Sequence, residues 1–305
     1  MALLALEPLW DIVDEHLDEA EFLWDVWERA LVSPLHTLAD VAAGPEARLL
    51  AHVDALVALG PVVAQRVLLP AIYRPGAEPS RVCAAALALL QAPGDAGLAA
   101  VLAALHELPA LRPALARALE CGDRPDLPAA VRPLLADPQL RGVAARVLGF
   151  HRAPLAEVLP ALLASDRAED VALALQHLPF ETAAAKPARA VIGRLLAEDP
   201  AVRDAALTAG ALLELPQAWR RAQELAAAAD PGCEHALVLL ALRGAADDLP
   251  AISAALARPE LRAAALWALG FVGTTAALDA CLPYFADPLY ARLAGEVLSA
   301  CVGID

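Results

Sequence analysis

Seven histidines and five cysteines are the residues of this 305-residue chain best suited to metal or nucleophilic chemistry. His16, His36, His52, His106, His151, His177 and His235 form no HExxH, the spacing that puts two ligands on one helix face. Cys83, Cys121, Cys233, Cys281 and Cys301 form no CxxC pair. GxGxxG, GxxxxGKS/T and GxSxG are absent, so phosphate-loop and serine-hydrolase chemistry have no support. The carboxylate pairs Asp14-Glu15 and Asp18-Glu19 carry the groups of general acid–base catalysis, yet adjacent acids on a helix read as a solvated face. No catalytic residue, metal or other cofactor is expected. What remains is a recurring Asp and Arg spaced four apart, Asp137/Arg141 and Asp199/Arg203, with further Arg residues at Arg112 and Arg262.

Composition narrows the partners. The net charge is −15, and the first 60 residues hold 12 acids and 2 bases, a net of −10. Nucleic-acid binding needs a basic stripe to neutralise phosphates, so neither nucleic acid nor an anionic membrane surface fits. Hydrophobic residues make up 59% of the chain, and mean hydropathy is +0.52. Even so, the longest uncharged run, Ala263 to Leu278, is broken by Gly270 and Gly273. It falls short of the roughly 18–20 apolar residues of a membrane span. MALLALEPLW lacks a basic leader region, and an odd number of scattered cysteines suits free thiols. The expected location is the cytoplasm.

The elements that must carry any site come in repeats. ADPQLRGVAARVLGF (136–150), EDPAVRDAALTAGAL (198–212), ARPELRAAALWALGF (257–271) and ADPLYARLAGEVLSA (286–300) align, and weaker copies fill the intervals. Their anchors are Pro79, Pro109, Pro138, Arg167, Pro200, Pro231, Pro259 and Pro288, spaced by 30, 29, 29, 33, 31, 28 and 29 residues. Each copy follows an apolar segment such as LPAAVRPLLA, so the unit reads as helix, Asp-Pro turn, helix. Asp can cap the second helix, and proline suits its first turn. Leu140, Val143, Ala144, Val147 and Leu148 make one apolar face at helical spacing. A two-helix unit cannot bury such a face alone, and stacked neighbours can. The expected fold is all-α, a right-handed α-solenoid with an N-terminal helical cap over 1–60 and about eight repeats over 61–305.

The pattern D-P-x-x-x-R-x-x-A-x-x-x-L-G, met by Asp137-Pro138, Arg141 and Leu148-Gly149, resembles HEAT repeats. That resemblance implies protein binding more often than catalysis. HEAT-like di-iron hydroxylases carry several His-Glu dyads, whereas only His106-Glu107 has that order here. HEAT-like DNA glycosylases conflict with the acidic charge, and no residue set points to a bilin-lyase chemistry. The Asp and Arg column has two readings, a ladder bridging stacked repeats or a basic row for a ligand. Asp170 and Glu234 interrupt it and weaken the second.

The front of the chain differs from the rest. Nine acids and no Lys or Arg precede Arg29, and three of the five tryptophans lie in the first 27 residues. Trp10, Val13, Leu17, Ala20, Trp24, Trp27 and Leu31 form one helical stripe, read as core. Phe22 and Val26 lie about opposite it, either covered by a neighbour or forming an apolar spot on an acidic surface. Ser33-Pro34 ends this helix, Gly44-Pro45 breaks before a second, and Gly60-Pro61 ends that one.

DEAEFLW (18–24), SPLH (33–36) and RLLAHVDAL (48–56) together resemble the N-terminal signature of a proteobacterial HEAT-repeat family with no assigned activity. Ala55 stands where that family has Gly, and Leu35 separates Pro34 from His36. Genes of the family often lie beside type VI secretion components. The resemblance thus implies a cytoplasmic accessory protein of that machinery. His52 and Asp54 read as helix-packing and hydrogen-bonding residues. The expected function is a non-enzymatic protein-binding scaffold, an adaptor, chaperone or immunity protein for a secreted effector. Its partner is another protein, the effector or a secretion component. Candidate contacts are Phe22, Val26, Arg141, Arg203, Arg262, Trp267, Tyr290 and Arg292. The alternatives are a lyase-type or metal-dependent enzyme using a groove, and a self-associating spacer.

Overall fold

The computed structural model describes residues 8–33, 36–181, 187–229 and 232–303; Pro34, Lys186 and Pro231 lie outside them. Every regular element among the described residues is helical, with no strand. No single helix there is long and apolar enough to cross a membrane. The helices form two compact units, Met1–Pro154 and Leu155–Asp305.

In the first unit, the 22-residue helix Trp10–Leu31 docks on Ala47–Ala58 and on Pro79–Gln91. Val13, Leu17, Ala20 and Trp24 of its stripe are buried, while Trp10, Trp27 and Leu31 are half-buried. Arg81 holds the same helix from outside, its guanidinium 2.7 Å from both Asp18 and Glu21. His52 packs as expected, its Nδ1 3.0 Å from Nδ1 of His16 across the two helices. The expected break at Gly44-Pro45 is not there. A capping box of Thr37 and Asp40 starts a helix that runs on through a π-helical turn, Ala42–Glu46, into Ala47–Ala58. Proline has no N–H to give and crowds the preceding turn, and a wider turn absorbs both defects. Gly60, at φ +80°, then ends the helix.

Pro79–Gln91 is buried at every position from Val82 to Leu90 because helices flank it on several sides. It packs on Arg112–Cys121, which packs on Arg141–Phe150, so second helices of successive pairs lie side by side. Leu140, Ala144, Val147 and Leu148 are fully buried, as the spacing predicts, and Val143 is half-buried.

The second unit repeats the arrangement. Ala168–His177 packs on Pro200–Leu212, which meets Glu234–Arg243, then Arg262–Val272, then Ala291–Val302. The Asp-Pro junctions take two forms. Asp199 caps Pro200–Leu212, accepting the N–H of Val202 at 3.1 Å, with Pro200 in the first turn as expected. Asp137 and Asp287 instead accept the N–H two residues on, from Gln139 and Leu289, and the helix starts later, at Arg141 and Ala291. There Pro138 and Pro288 stand in a turn ahead of the helix.

Candidate functional site

The arginine column does structural work. The Nε–H of Arg112, Arg141 and Arg262 donates to the carbonyls of Leu105, Leu135 and Leu256, at 2.9, 3.0 and 3.0 Å. Each guanidinium folds back over its turn and supplies a donor to carbonyls left open where the preceding helix ends. Arg112 also reaches Gln139 O at 3.4 Å, and Arg203 reaches Gly232 O at 2.5 Å, both in the next repeat. Two of these four arginines, Arg112 and Arg203, therefore bridge repeats, and they do so through carbonyls. The Asp137 carboxylate makes no ion pair with Arg141, because the helix begins at Arg141 and a spacing of four across a turn does not align side chains; only the Asp137 carbonyl accepts the Arg141 backbone N–H, at 2.8 Å.

The remaining candidates divide. Tyr284 and Tyr290 flank the Arg262 guanidinium at 5.5 and 5.4 Å, and the Tyr284 hydroxyl donates to Leu256 O, so Tyr290 is also a packing residue. Trp267 is 47% exposed and stacks edge-on with Phe271, 5.4 Å between centroids. Arg292 is exposed and pairs with Glu296 at 3.0 Å. Phe22 is 55% exposed and Val26 half-buried, so Phe22 stands as an apolar spot among Asp18 and Asp25.

Sequence reasoning missed a cleft of about 780 Å³ in the first unit. Trp24, Leu49 and Leu87 line its depth, while Trp27, Leu31 and Phe150 contribute less buried walls. A chain of polar contacts runs along it. The Trp27 indole N–H donates to Glu46 at 3.1 Å. The Arg117 guanidinium lies 5.2 Å above the Trp27 ring and donates to Glu28 at 3.1 Å and to Glu120 at 3.3 Å. Arg146 donates to the two oxygens of Glu120 at 2.5 and 3.3 Å. Only 4% of the Glu120 side chain is exposed, so this carboxylate depends on its two guanidiniums for compensation. Bonds to Glu28 and Glu120 hold Arg117 cationic against the cost of its own desolvation. The signal in sequence was Glu120 itself, a charge standing where the other copies have only small or apolar residues, among them Gly149, Ala211 and Gly270.

The reactive-looking groups near this cleft are quiet. Burial raises the Cys121 thiol from 9.0 to about 11, the opposite of what a nucleophile needs. His151 lies 2.9 Å from Leu119 O; since a carbonyl only accepts, Nε2 is the donor. Elsewhere, Glu107 of the one His-Glu dyad accepts from the Tyr73 hydroxyl at 2.8 Å, and His106 lies 3.9 Å from Asp137. Among the described residues no three His, Cys, Asp or Glu side chains converge as a metal site requires.

No family model and no curated protein matches this sequence. Human deoxyhypusine hydroxylase, solved in complex with glycerol, is similar in structure at 18% identity and a TM-score of 0.37, covering 93% of this chain and 98% of that one. An engineered protein is similar at 18% identity and a TM-score of 0.38, covering 94% and 93%. Likeness at this level assigns no activity, ligand or partner to this chain.

Proposed function

We propose that this chain is a non-enzymatic protein-binding scaffold, a right-handed α-solenoid of HEAT-like helix pairs behind an acidic N-terminal helical cap. The observation that carries the reading is the cleft of the first unit. Its walls are aromatic and aliphatic, its buried charges compensate one another, and its thiol is held protonated. Such a site is built to hold a side chain in place. Aromatic residues dominate binding energetics at interfaces, and Phe22 and Phe150, each 55% exposed, extend the contact surface of this unit. In the second unit the Trp267–Phe271 pair, with Arg292, plays the same part. The role is that of a cytoplasmic adaptor, chaperone or immunity protein for a type VI secretion effector. This assignment rests on the resemblance carried by DEAEFLW and RLLAHVDAL alone.

Affinity capture from the source cells tests the function. Wild type should retain one protein in near-equal amount, and Phe150→Glu or Phe22→Glu, each folded, should lose most of it. A wild-type chain that retains no protein, but copurifies with a metal or chromophore, would replace this reading with the enzymatic one.

A further inference from the structure

The cleft has a charge preference. Arg117, Glu28, Glu120 and Arg146 neutralise one another. Two carboxylates of the lining, Glu46 and Asp123, have no ion pair to a basic side chain among the described residues. A shallower depression of about 510 Å³ adjoins the cleft through a shared wall of Leu50, Gln91 and Asp123, and it adds Asp54, likewise without a basic partner. The one arginine there, Arg124, is held by Asp95, Asp126 and the carbonyls of Leu90 and Gly94. An anion entering this space would meet acceptors, and the donors it needs are already engaged.

Resting on the scaffold reading, we propose that the cleft receives an Arg or Lys side chain carried by an apolar-flanked segment of the partner protein. The cationic head lies between Glu46 and Asp123 with the ring face of Phe150 beside it, where a cation is attracted by the π-system. The aliphatic stem lies along Leu31 and Leu50, as long basic side chains do when their stems are buried. The volume is within the range of pockets that hold small ligands, which accommodates one such side chain and parts of its neighbours. The acidic first 60 residues, at −10, favour approach of a basic segment from a distance.

A phage-displayed random peptide library selected on the full chain tests this, followed by fluorescence titration of the enriched peptides as synthetic compounds. The variant Glu46→Gln/Asp123→Asn removes both charges, keeps an acceptor for Trp27, and changes only half-buried or exposed positions; its urea midpoint verifies folding. The expected result is enrichment of Arg or Lys flanked by apolar residues, with affinity reduced about tenfold or more in the double variant and weakening with salt. Replacing the basic residue of the peptide by Gln should cost as much. Enrichment of acidic or neutral peptides, no enrichment, or equal binding of basic peptides to the double variant would each overturn the proposal. If the captured partner persists with the double variant, the scaffold stands and only this assignment falls. If basic peptides bind the cleft while cells yield no partner, the scaffold reading falls instead.

Discussion

Two glycines in the second unit should respond to the same substitution with opposite signs. Gly210 lies inside Pro200–Leu212, and a Cβ built there would sit 2.4 Å from Ala218 Cβ and 3.4 Å from Val191 Cγ1. Carbon pairs settle at about 3.5–4.0 Å, so the helix would have to part from Pro216–Ala228 by about 1 Å. Overpacking of this kind costs about 1–3 kcal/mol, whereas Gly→Ala in a helix interior gains about 1 kcal/mol from propensity. The net for Gly210→Ala is a loss of up to about 2 kcal/mol. Gly295 lies inside Ala291–Val302 with nothing within 4 Å of an added Cβ. Gly295→Ala should therefore stabilise by about 0.5–1 kcal/mol. Urea unfolding followed by far-UV circular dichroism reads both, and both residues belong to one unit, so one transition reports them. In Gly210→Ala/Ala218→Gly the clash is gone and the two propensity changes cancel, returning the midpoint close to wild type. A Gly210→Ala variant as stable as Gly295→Ala would refute the close approach of these helices.

Three other outcomes follow from the same geometry. Glu120→Gln should lower the stability of the first unit by about 2 kcal/mol, less than the 3–5 of a fully buried broken pair because Arg146 is half exposed and Arg117 keeps Glu28; Glu28→Gln, at an exposed partner, should cost under about 1, and equal losses in urea melts would contradict the network. Cys121, raised to about 11, should be alkylated by iodoacetamide at pH 8 at least about tenfold more slowly in the native chain than in urea, and equal rates by mass spectrometry would contradict the burial. Desolvation, opposed by Glu181, lowers His177 below its ordinary 6.5, so the unfolded chain binds more protons between the two values; the stability this gives is intact above 6.5 and is lost as pH falls through the folded value, and His177→Gln should reduce the drop in urea midpoint between pH 7.5 and 5.5.

Helix pairs were legible because proline and aspartate recur at a near-constant period, and apolar spacing told which face of 141–150 would be buried. Spacing did not separate Trp24 from Trp27. Both lie on one stripe, but Trp24 is 1% exposed while Trp27 is half-buried in the cleft wall, a difference set by which distant helices meet them. The Asp137/Arg141 pair misled because a spacing of four has meaning only inside a helix, and the helix starts at Arg141. Gly44-Pro45 misled because proline ends a helix only when no wider turn accommodates it. The cleft was least legible. Glu28, Glu46, the Arg117/Glu120 pair and Arg146 come from four separate helical segments, and their convergence is a product of packing. A Glu in a slot filled by Gly, Ala, Ser or Leu in the other copies was the one local clue.

Site-specific photo-crosslinking in the source cells bears most directly on the central claim that the cleft of the first unit binds another protein. Benzoylphenylalanine at position 150 should give one discrete protein adduct, while the same group at exposed Glu169 of the second unit should not give that adduct. Position 150 yielding no adduct, or the same diffuse set as position 169, would contradict the account.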